Sequence, residues 1–392
     1  MAFRRQNDKI ILALIYGRRV WEERLMLIQC TRKLLNELKI DPLPYSDEDP
    51  LFCWHANLIT LNRRKSVALV NDKNRYVVVL YNLKAKDFKK LDEIIQEGIR
   101  KTFLAEHIKE EVVEEYMRKA NGIIYAKTKD KFSVARMNKS CEVVGYGEDL
   151  LKDRSIFQTI VSRKTNRYFI GDGRGGYIRP SEEMFKDLQE FWGKPIFGSK
   201  AVKVKAKLEL ERHNVWRELI IPLNMTFREF HKALQIVFGW RDYHLHEFYI
   251  YSDEVYKNRD YKPVVRLVGN EEAFDVPTEI ETKLERDIVL SEYIPYYRKL
   301  KYIYDFGANW QIYIDVEDVT ENYELNHPVC LDGEGDAPPE DIDGETAYEN
   351  FLKAVENVKA SQNFMVRIIA AARGYREFDI AIVNNELKWY CV

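Results

Sequence analysis

A break in the pattern at residues 193–200 limits what this chain can fold into more than any other feature. The segment reads Gly-Lys-Pro-Ile-Phe-Gly-Ser-Lys, and its two glycines and one proline interrupt helices and strands, whereas the sequence on both sides is regularly patterned. It therefore predicts a linker between two domains, at 26–192 and at 201–392. The length of 392 residues fits two domains of ordinary size.

The first 25 residues stand apart from this plan. The apolar run at 10–16 is short and lies between two pairs of arginines, whereas a strand that can open a domain begins at Met26. We therefore predict that residues 1–25 are an N-terminal extension and that translation naturally starts at Met26. The intact mass of the natively expressed protein tests this prediction, because a species that begins at Met1 contradicts it.

The two halves of the chain carry opposite charge. Residues 1–200 hold 38 Lys and Arg against 28 Asp and Glu, whereas residues 201–392 hold 23 against 35. A basic half indicates an acidic partner such as nucleic acid, or docking of the two halves on each other. Ordinary solvated surfaces on both domains explain the same numbers, so the three interpretations remain open.

Cysteine use and hydropathy indicate the cellular setting. The five cysteines are an odd number and no two stand at Cys-x-x-Cys spacing, so neither a disulfide framework nor a zinc ribbon is expected. No apolar run approaches the roughly 18 residues of a membrane helix, and the charged first residues do not form a secretory signal. We therefore expect a cytoplasmic protein with no membrane contact.

Hydrophobic spacing predicts a mixture of helices and strands in the first domain. Apolar residues at spacings of three and four, such as Leu91, Ile95 and Ile99, are typical of an amphipathic helix. Turn-forming residues between two apolar runs are typical of a hairpin. The predicted strands are 26–29, one into which 54–58 leads, 66–70, 75–81, 122–126, 131–136 and 167–170. The predicted helices are 32–38 with Thr31 as its cap, 87–119, 149–162 and 180–192.

The second domain opens on a half-exposed strand, because Val202 and Val204 alternate with lysines. Further strands are predicted at 216–223, 244–251, 301–304 and 310–316, and helices at 227–238, 345–358 and 363–372. Thr226 and Gly239 are suited to the two ends of the first of these helices, and a last strand pair is expected around Asn384. This order predicts an α+β fold whose second domain is a β-grasp-like mixed sheet, crossed by one helix and extended by others.

A set of motifs in the second domain is distinctive enough to indicate a family. They consist of Trp240, His244, His246, Tyr304, Asp305, Phe306, Gly307, Trp310, Pro338, Pro339, Glu340 and Asp341. In order and spacing, Val202–Val358 resembles the plasmid pRiA4b ORF-3-like family, proteins carried on plasmids and as passengers of some insertion elements. Two positions depart from the family pattern, because Ala308 and Ile312 stand where an acidic residue and a histidine are usual.

The first domain, from Met26 to about Trp192, resembles an uncharacterised domain that accompanies this family. The match rests on three segments, Cys30–Leu35, Trp54–Leu58 and Asn71–Tyr76. Both resemblances imply an architecture rather than a chemistry, since neither family implies an established biochemical activity.

Two histidines on a predicted strand are the main candidates for metal binding. His244 and His246 are two residues apart and therefore share a strand face in this prediction, and Asp305 on a neighbouring strand supplies a third ligand. A divalent metal held by these three residues is the basis of one interpretation, a metal-dependent hydrolase. Histidines that only pack or hydrogen-bond on a sheet give the same pattern, and Ile312 in place of a histidine favours that interpretation. We expect no other cofactor.

Basic residues in the first domain are the candidates for binding nucleic acid or another anion. They are Arg63, Arg64, Lys65, Lys73 and Arg75 on the predicted hairpin, and Arg174 in a glycine-rich turn. Clustered cations contact phosphates, and Tyr76 and Tyr81 are of a type that stacks on bases. No helix-turn-helix, zinc-finger or RNA-recognition signature accompanies them, so a protein partner explains the cluster equally well.

Cys53 and His55 alternate with Trp54, so a strand places them on one face, as a nucleophilic Cys/His pair requires. A hydrogen-bonded histidine at a strand end is the simpler interpretation. The leading hypothesis is therefore a non-enzymatic accessory protein of plasmid or mobile-element origin. Under this hypothesis, residues 26–196 contact nucleic acid or a protein partner, and the acidic second half is an interaction module. The metal-dependent hydrolase is the alternative, and a toxin–antitoxin or defence component is a third.

Overall fold

The computed structural model describes residues 24–44, 48–173, 175–252, 263–275, 278–361 and 375–391. The chain divides into two compact units, Met1–Ile196 and Phe197–Val392, here named unit 1 and unit 2. Almost all of the predicted extension at 1–25 lies outside the described residues. None of the helices that the structure describes is both long enough and apolar enough to span a bilayer.

Unit 1 is built on a five-stranded sheet with the order β4-β3-β2-β1-β5. Its strands are β1 Arg24–Cys30, β2 Cys53–Leu61, β3 Arg64–Asn71, β4 Val77–Leu80 and β5 Ala120–Lys127, and a separate pair consists of β6 Ile170–Gly171 and β7 Tyr177–Ile178. β1 is parallel to both β2 and β5, whereas β2, β3 and β4 form an antiparallel meander. The hairpin predicted at 66–81 is confirmed as β3 and β4.

The helices that the structure describes in unit 1 are α1 Arg32–Leu38, α2 Ala85–Phe88, α3 Leu91–Ala105, α4 Glu110–Lys119, α5 Lys131–Gly145, α6 Thr159–Thr165 and α7 Pro180–Trp192. The continuous helix predicted at 87–119 is wrong. The chain breaks after α3, where His107 has a left-handed φ of 62° that an α-helix does not accommodate. The helix predicted at 149–162 begins later, as α6, and the one at 180–192 is confirmed.

The hairpin predicted at 122–136 is wrong in its second limb. The first limb belongs to β5, but residues 131–136 begin α5. Asp130 caps this helix, because its Oδ1 accepts a hydrogen bond from Ser133 N at 2.7 Å. Thr31, by contrast, makes no side-chain hydrogen bond that caps α1.

Unit 2 is built on an eight-stranded sheet with the order β12-β11-β10-β13-β14-β8-β9-β15. Its strands are β8 Ser199–Leu208, β9 Val215–Pro222, β10 His246–Tyr251, β11 Val265–Val268, β12 Thr282–Leu284, β13 Lys299–Tyr304, β14 Trp310–Tyr323 and β15 Val329–Glu334. Among the described pairings only that of β11 with β12 is parallel, so the sheet is mixed, as predicted. The α+β class is confirmed, but the β-grasp detail is not, since the sheet has eight strands rather than four.

The helix predicted after Thr226 is confirmed as α8, Phe227–Phe238. Thr226 forms a reciprocal capping box at its start, and Gly239 ends it with a left-handed φ of 75°. The apolar face of α8 packs on the sheet, where the ring of Phe230 stacks on that of Phe248 in β10 with centroids 5.5 Å apart. These contacts belong to one continuous core between the helix and the sheet.

Two helices follow the last strand, α9 Gly344–Ser361 and α10 Ile380–Tyr390. The helix predicted at 345–358 is confirmed as α9, whereas the one predicted at 363–372 lies outside the described residues. The strand pair expected around Asn384 is wrong, because this residue lies within α10. Its side chain bonds β15 instead. Asn384 Oδ1 accepts from Cys330 N at 2.7 Å, and Nδ2 donates to Cys330 O at 2.9 Å.

Candidate functional site

The family-motif residues of unit 2 come together from three separate segments. Trp240 follows α8, Tyr304 ends β13 and Pro338 precedes α9. The indole of Trp240 stacks on the ring of Tyr304 with centroids 4.8 Å apart, and its Nε1 donates to Pro338 O at 2.8 Å. These buried contacts join the three segments at one place.

A buried glutamate completes this junction. Glu340 is 5% exposed, and its Oε1 accepts hydrogen bonds from Tyr304 Oη at 2.9 Å and from Arg241 N at 2.6 Å. Burial and the Glu340 carboxylate raise the pKa of Tyr304 well above its usual value, so the phenol remains a hydrogen-bond donor. Pro339 is buried as well, and Trp310 pairs with Tyr304 across β13 and β14. The loops that carry the exposed motif residues are therefore held in one arrangement.

His244 is surrounded by three carboxylates. Its Nε2 lies 3.2 Å from Asp341 Oδ1, 3.5 Å from Glu340 Oε2 and 3.7 Å from Asp305 Oδ2. The loop of Asp305 is closed by a hydrogen bond from Gly307 N to Asp305 Oδ1 at 3.1 Å. The Asp341 side chain is 75% exposed, so negative charge reaches the solvent here.

Three large apolar side chains are exposed next to these carboxylates. Tyr243 and Leu245 flank the histidine in sequence and are 67% and 55% exposed, and Phe306 follows Asp305 and is 47% exposed. Asp305 N donates to Leu245 O at 3.0 Å, which places the two loops side by side. We name this exposed set the motif surface; it consists of Tyr243, His244, Leu245, Asp305, Phe306 and Asp341.

The metal set predicted from His244, His246 and Asp305 is not brought together. β10 begins only at His246, so His244 lies in the preceding loop and the two histidines do not share a strand face. His246 is buried, and its Nε2 lies 2.9 Å from Glu285 Oε2. Of the predicted set, only His244 and Asp305 are neighbours.

His246 belongs to a buried polar cluster with His231 and Asp242. His231 Nε2 lies 2.9 Å from Asp242 Oδ1, and His231 Nδ1 lies 2.9 Å from Tyr302 Oη. Burial lowers the pKa of His231 to about 4, so this imidazole is neutral near pH 7. Its Nε2–H then donates to the carboxylate and its Nδ1 accepts from Tyr302, which in turn accepts from Gln235 Nε2 at 2.9 Å.

The geometry of this cluster does not fit a metal ion. Ligand atoms of His231, Asp242 and His246 lie within 4.8 Å of one another, close enough to reach one ion. However, the two imidazole rings are stacked with centroids 3.5 Å apart and an angle of 7° between their planes. Imidazole lone pairs lie in the ring plane, so one ion shared by both Nε2 atoms is out of plane for each ring. Both Nε2 atoms also have carboxylate partners already. We interpret the cluster as a hydrogen-bonded network.

This network is not among the sites predicted from the sequence. One signal was available on α8, because His231 and Gln235 occupy positions on the helix face that is otherwise apolar. Polar residues on such a face need buried partners. Those partners, Asp242 and Glu285, lie in segments outside the strands and α-helices, where no periodicity points to them.

The basic patch predicted in unit 1 does not form as one surface. Arg64 and Lys65 begin β3, whereas Lys73 and Arg75 follow its end. A strand of this length separates the two groups by roughly 20 Å, at about 3.3 Å for each residue. Arg63 is exposed in the turn before β3, and Arg174 lies outside the described residues.

Three of the six predicted cations have carboxylate partners, and the two tyrosines predicted beside them are buried. The pairs are Arg64–Asp153 at 3.5 Å, Lys65–Glu37 at 2.8 Å and Lys73–Asp187 at 3.0 Å. Tyr76 and Tyr81 are 0% and 1% exposed, so neither ring is free to stack on a base. Arg75 is also buried and faces an internal cleft.

Each of the two parts of the chain matches a family model. Residues 200–386 match the family model of plasmid pRiA4b ORF-3-like proteins, and residues 27–183 match a domain of unknown function (DUF6933). These matches confirm the resemblance derived from the motif residues of unit 2 and from the segments of unit 1.

Two individual proteins are similar to part of the chain. An uncharacterized protein, y4hQ of Sinorhizobium fredii, is 29% identical over 154 residues, which are 39% of this chain and 72% of the relative. The crystal structure of a protein of unknown function, MM3350 from Methanosarcina mazei Go1, matches with 26% identity and a TM-score of 0.36. That match covers 48% of this chain and 94% of the other.

Proposed function

We propose that this protein is a non-enzymatic accessory protein of plasmid or mobile-element origin, and that its motif surface binds a basic segment of a protein partner. The origin is supported by the family that matches residues 200–386. The binding is supported by one observation, the exposed apolar side chains that border carboxylates where the motif segments meet. Exposed apolar groups with a polar rim mark interaction sites on soluble proteins.

The charge and the side-chain types of the motif surface define the partner. Asp341, with Asp305 beside it, presents negative charge that attracts Lys or Arg and raises the rate of encounter. Tyr243 and Phe306 offer rings for apolar packing and for cation–π contact. A segment that mixes Lys or Arg with apolar residues satisfies both requirements.

The junction beneath the motif surface favours binding as well. Trp240, Tyr304 and Glu340 are buried and hydrogen-bonded, so the loops have one arrangement before a partner arrives. A preorganised surface loses less conformational entropy on binding, which leaves more of the contact energy as affinity.

The alternative, a metal-dependent hydrolase, has less support. The histidines at 244 and 246 point to different carboxylates, and the stacked rings of the buried cluster disfavour a shared ion. Nucleic-acid binding through residues 26–196 stays a prediction, and it also has less support, because Arg64, Lys65 and Lys73 are paired with carboxylates.

Selection of a displayed random peptide library on the full-length chain tests the proposal. We expect the enriched peptides to combine Lys or Arg with apolar residues, and to bind Phe306→Ser and Asp341→Asn at least about tenfold more weakly than the wild type. Tyr296→Ser is the matched control, because Tyr296 is 84% exposed but lies outside the motif surface. Enrichment of acidic peptides, no enrichment at all, or equal binding to Phe306→Ser and wild type refutes the proposal.

A further inference from the structure

Unit 1 contains a cleft of about 490 Å³ that brings together the predicted Cys53/His55 pair and Arg75 of the predicted basic cluster. Its walls are β2, the end of β3 with the following turn, and the first turns of α5. The lining residues on which the inference depends are Cys53, His55, Asp72, Arg75, Ser133 and Arg136. The volume suits a small metabolite rather than a protein segment.

His55 lines this cleft and carries a buried ring nitrogen without a hydrogen-bond partner among the described residues. The side chain is 3% exposed, and its Nδ1 lies 2.5 Å from Asp72 Oδ1. The other oxygen of Asp72 accepts from Gln29 Nε2 at 2.6 Å, so the carboxylate is an acceptor on both sides and the proton of His55 lies on Nδ1. In the neutral imidazole, His55 Nε2 is a bare acceptor, and it has no hydrogen-bond partner among the described residues.

Arg75 brings a buried positive charge to the same cleft. The residue is 3% exposed, and its guanidinium donates only to neutral oxygens, namely Gly171 O, Arg136 O and Ser140 Oγ. No carboxylate in the described part of the chain forms an ion pair with it, and its Nε has no hydrogen-bond partner there. Burial and the nearby charge of Arg136 lower the pKa of Arg75 to about 10, so the group still carries its charge at pH 7.

A buried cation without a counter-ion is unfavourable, and an anion in the cleft removes that cost. Four carboxylates also line the cleft. Three of them are engaged elsewhere, since Asp72 bonds His55, Asp130 caps α5 through Ser133 N and Asp49 accepts from Leu51 N. A bound anion next to Arg75 and a donor group next to His55 therefore satisfy the two groups that the described residues leave unsatisfied.

Nucleophilic catalysis by Cys53 has no support in this cleft. Cys53 and His55 do share a face of β2, but Cys53 Sγ donates to Asp49 O at 3.4 Å. Burial, and then the negative charge of Asp72, raise the pKa of Cys53 to about 12, so the sulfur remains a thiol. The groups point to binding rather than to covalent chemistry.

We propose that this cleft binds a small molecule that joins an anionic group, a carboxylate or a phosphate, to a hydroxyl or amine donor. The anion lies against Arg75 and Arg136, and the donor reaches His55 Nε2. Asp72 is a positioning residue, because it fixes the tautomer and the orientation of the imidazole. The site is in unit 1 and is independent of the motif surface in unit 2.

Calorimetric titration of the full-length chain with four probes tests the site. Glycerate and glycerol 3-phosphate carry both groups, whereas propionate and propyl phosphate carry the anion alone. We expect one of the hydroxylated probes to bind at least about tenfold more tightly than its analogue without hydroxyls, because the analogue leaves His55 Nε2 unpaired. The comparison also shows whether a carboxylate or a phosphate is the anion. Binding weaker than about 1 mM for all four probes overturns the proposal.

Variants separate the roles of the two groups. Arg75→Met removes binding of the anion itself, whereas His55→Gln reduces the difference between each probe and its analogue. Lys186→Gln is the matched control, because Lys186 is exposed on α7 and, within the described part of the chain, forms an ion pair with Glu183 alone. Should Arg75→Met fail to fold, Asp72→Asn provides the second test: imidazole ¹⁵N spectra report a change of tautomer at His55, accompanied by loss of probe selectivity. An unchanged tautomer with unchanged selectivity contradicts the proposed role.

Discussion

The imidazole rings of His231 and His246 lie parallel, 3.5 Å apart, and each Nε2 faces a carboxylate of its own. Asp242 is the partner of the first ring and Glu285 that of the second, and Arg228 Nη1 lies 3.2 Å from Glu285 Oε1. Two positive imidazolium rings repel each other in such a stack. Because burial lowers the pKa of His231, this ring is neutral near pH 7 and the stack avoids that repulsion.

The stability of the chain should fall as the pH drops from about 6.5 towards 4. Burial lowers the pKa of His231 to about 4 in the folded state, so between these values the unfolded chain binds the extra proton. The stabilisation is complete above about pH 6.5, and roughly 3 kcal/mol of it is lost by pH 4, at about 1.4 kcal/mol for each pH unit. Urea unfolding at several pH values measures this slope. His231→Gln should flatten it, and an equal slope in the variant contradicts the assignment.

Chelation or addition of metal should leave the thermal stability unchanged. The stacked rings place any ion shared by His231 and His246 outside both ring planes, so binding requires the network to come apart. Thermal unfolding with EDTA and with zinc chloride measures the effect, and elemental analysis of the purified protein is the control. A stoichiometric metal together with a lower Tm in EDTA supports the hydrolase instead.

Replacement of Arg217 by Met should destabilise unit 2 by roughly 3–4 kcal/mol, the scale for a buried polar group whose partners are left unpaired. The side chain is 1% exposed and donates to Val237 O, Trp216 O, Glu334 O and Gly335 O. Chemical denaturation measures the loss. Lys205→Met is the control, because Lys205 on β8 is half-buried and its ammonium lies over the ring of Trp216. A similar loss in both variants contradicts the argument.

Two glycines with the same backbone conformation should respond differently to alanine. Gly335 and Gly344 have φ values of 74° and 79°, so both substitutions carry the strain of a left-handed alanine, about 1 kcal/mol. Only at Gly335 does a Cβ also meet backbone, at 2.5 Å from Asn214 O, whereas the space at Gly344 is open. Gly335→Ala should therefore cost clearly more unfolding free energy than Gly344→Ala. Equal losses in denaturant titrations refute this.

Labelled DNA and RNA should not bind the full-length chain with a steep dependence on salt. A protein that contacts several phosphates shows a linear fall of log K with log salt, with a slope of about 0.9 for each contact on duplex DNA. The paired state of Arg64, Lys65 and Lys73 leaves few cations of the predicted patch for such contacts. Fluorescence anisotropy across a salt series measures the slope. A slope of several units restores nucleic acid as the partner of residues 26–196.

Elements with local signals could be predicted from the sequence. Thr226 and Gly239 mark the ends of α8, and the alternation from Val202 onwards marks β8, because capping and alternation act within a few residues. Residues 131–136 resemble a strand in sequence, since Phe132 and Val134 alternate with Lys131 and Ser133. The carboxylate of Asp130, which caps the N-terminus of α5, favours a helix there instead.

The candidate sites depended on contacts that no local pattern reveals. The start of β10 at His246 separates two histidines that a strand two residues longer places on one face. Arg75 looks like a surface cation in the sequence, but the α5 backbone and Gly171 O enclose its guanidinium. These partners, Arg136 O and Gly171 O, lie 61 and 96 positions from Arg75 in the sequence, and only the fold brings them together.

The side chain of Asn384 has a consequence for how molecules of this protein meet one another. β15 is the last strand of its sheet, and the amide of Asn384 occupies the N–H and C=O of Cys330 that face away from β9. These are the groups through which an unprotected strand recruits a second chain into a growing sheet. A change that detaches α10 therefore also exposes the N–H and C=O of Cys330 on β15. The edge of the sheet can then pair with a strand of a second molecule, which favours aggregation.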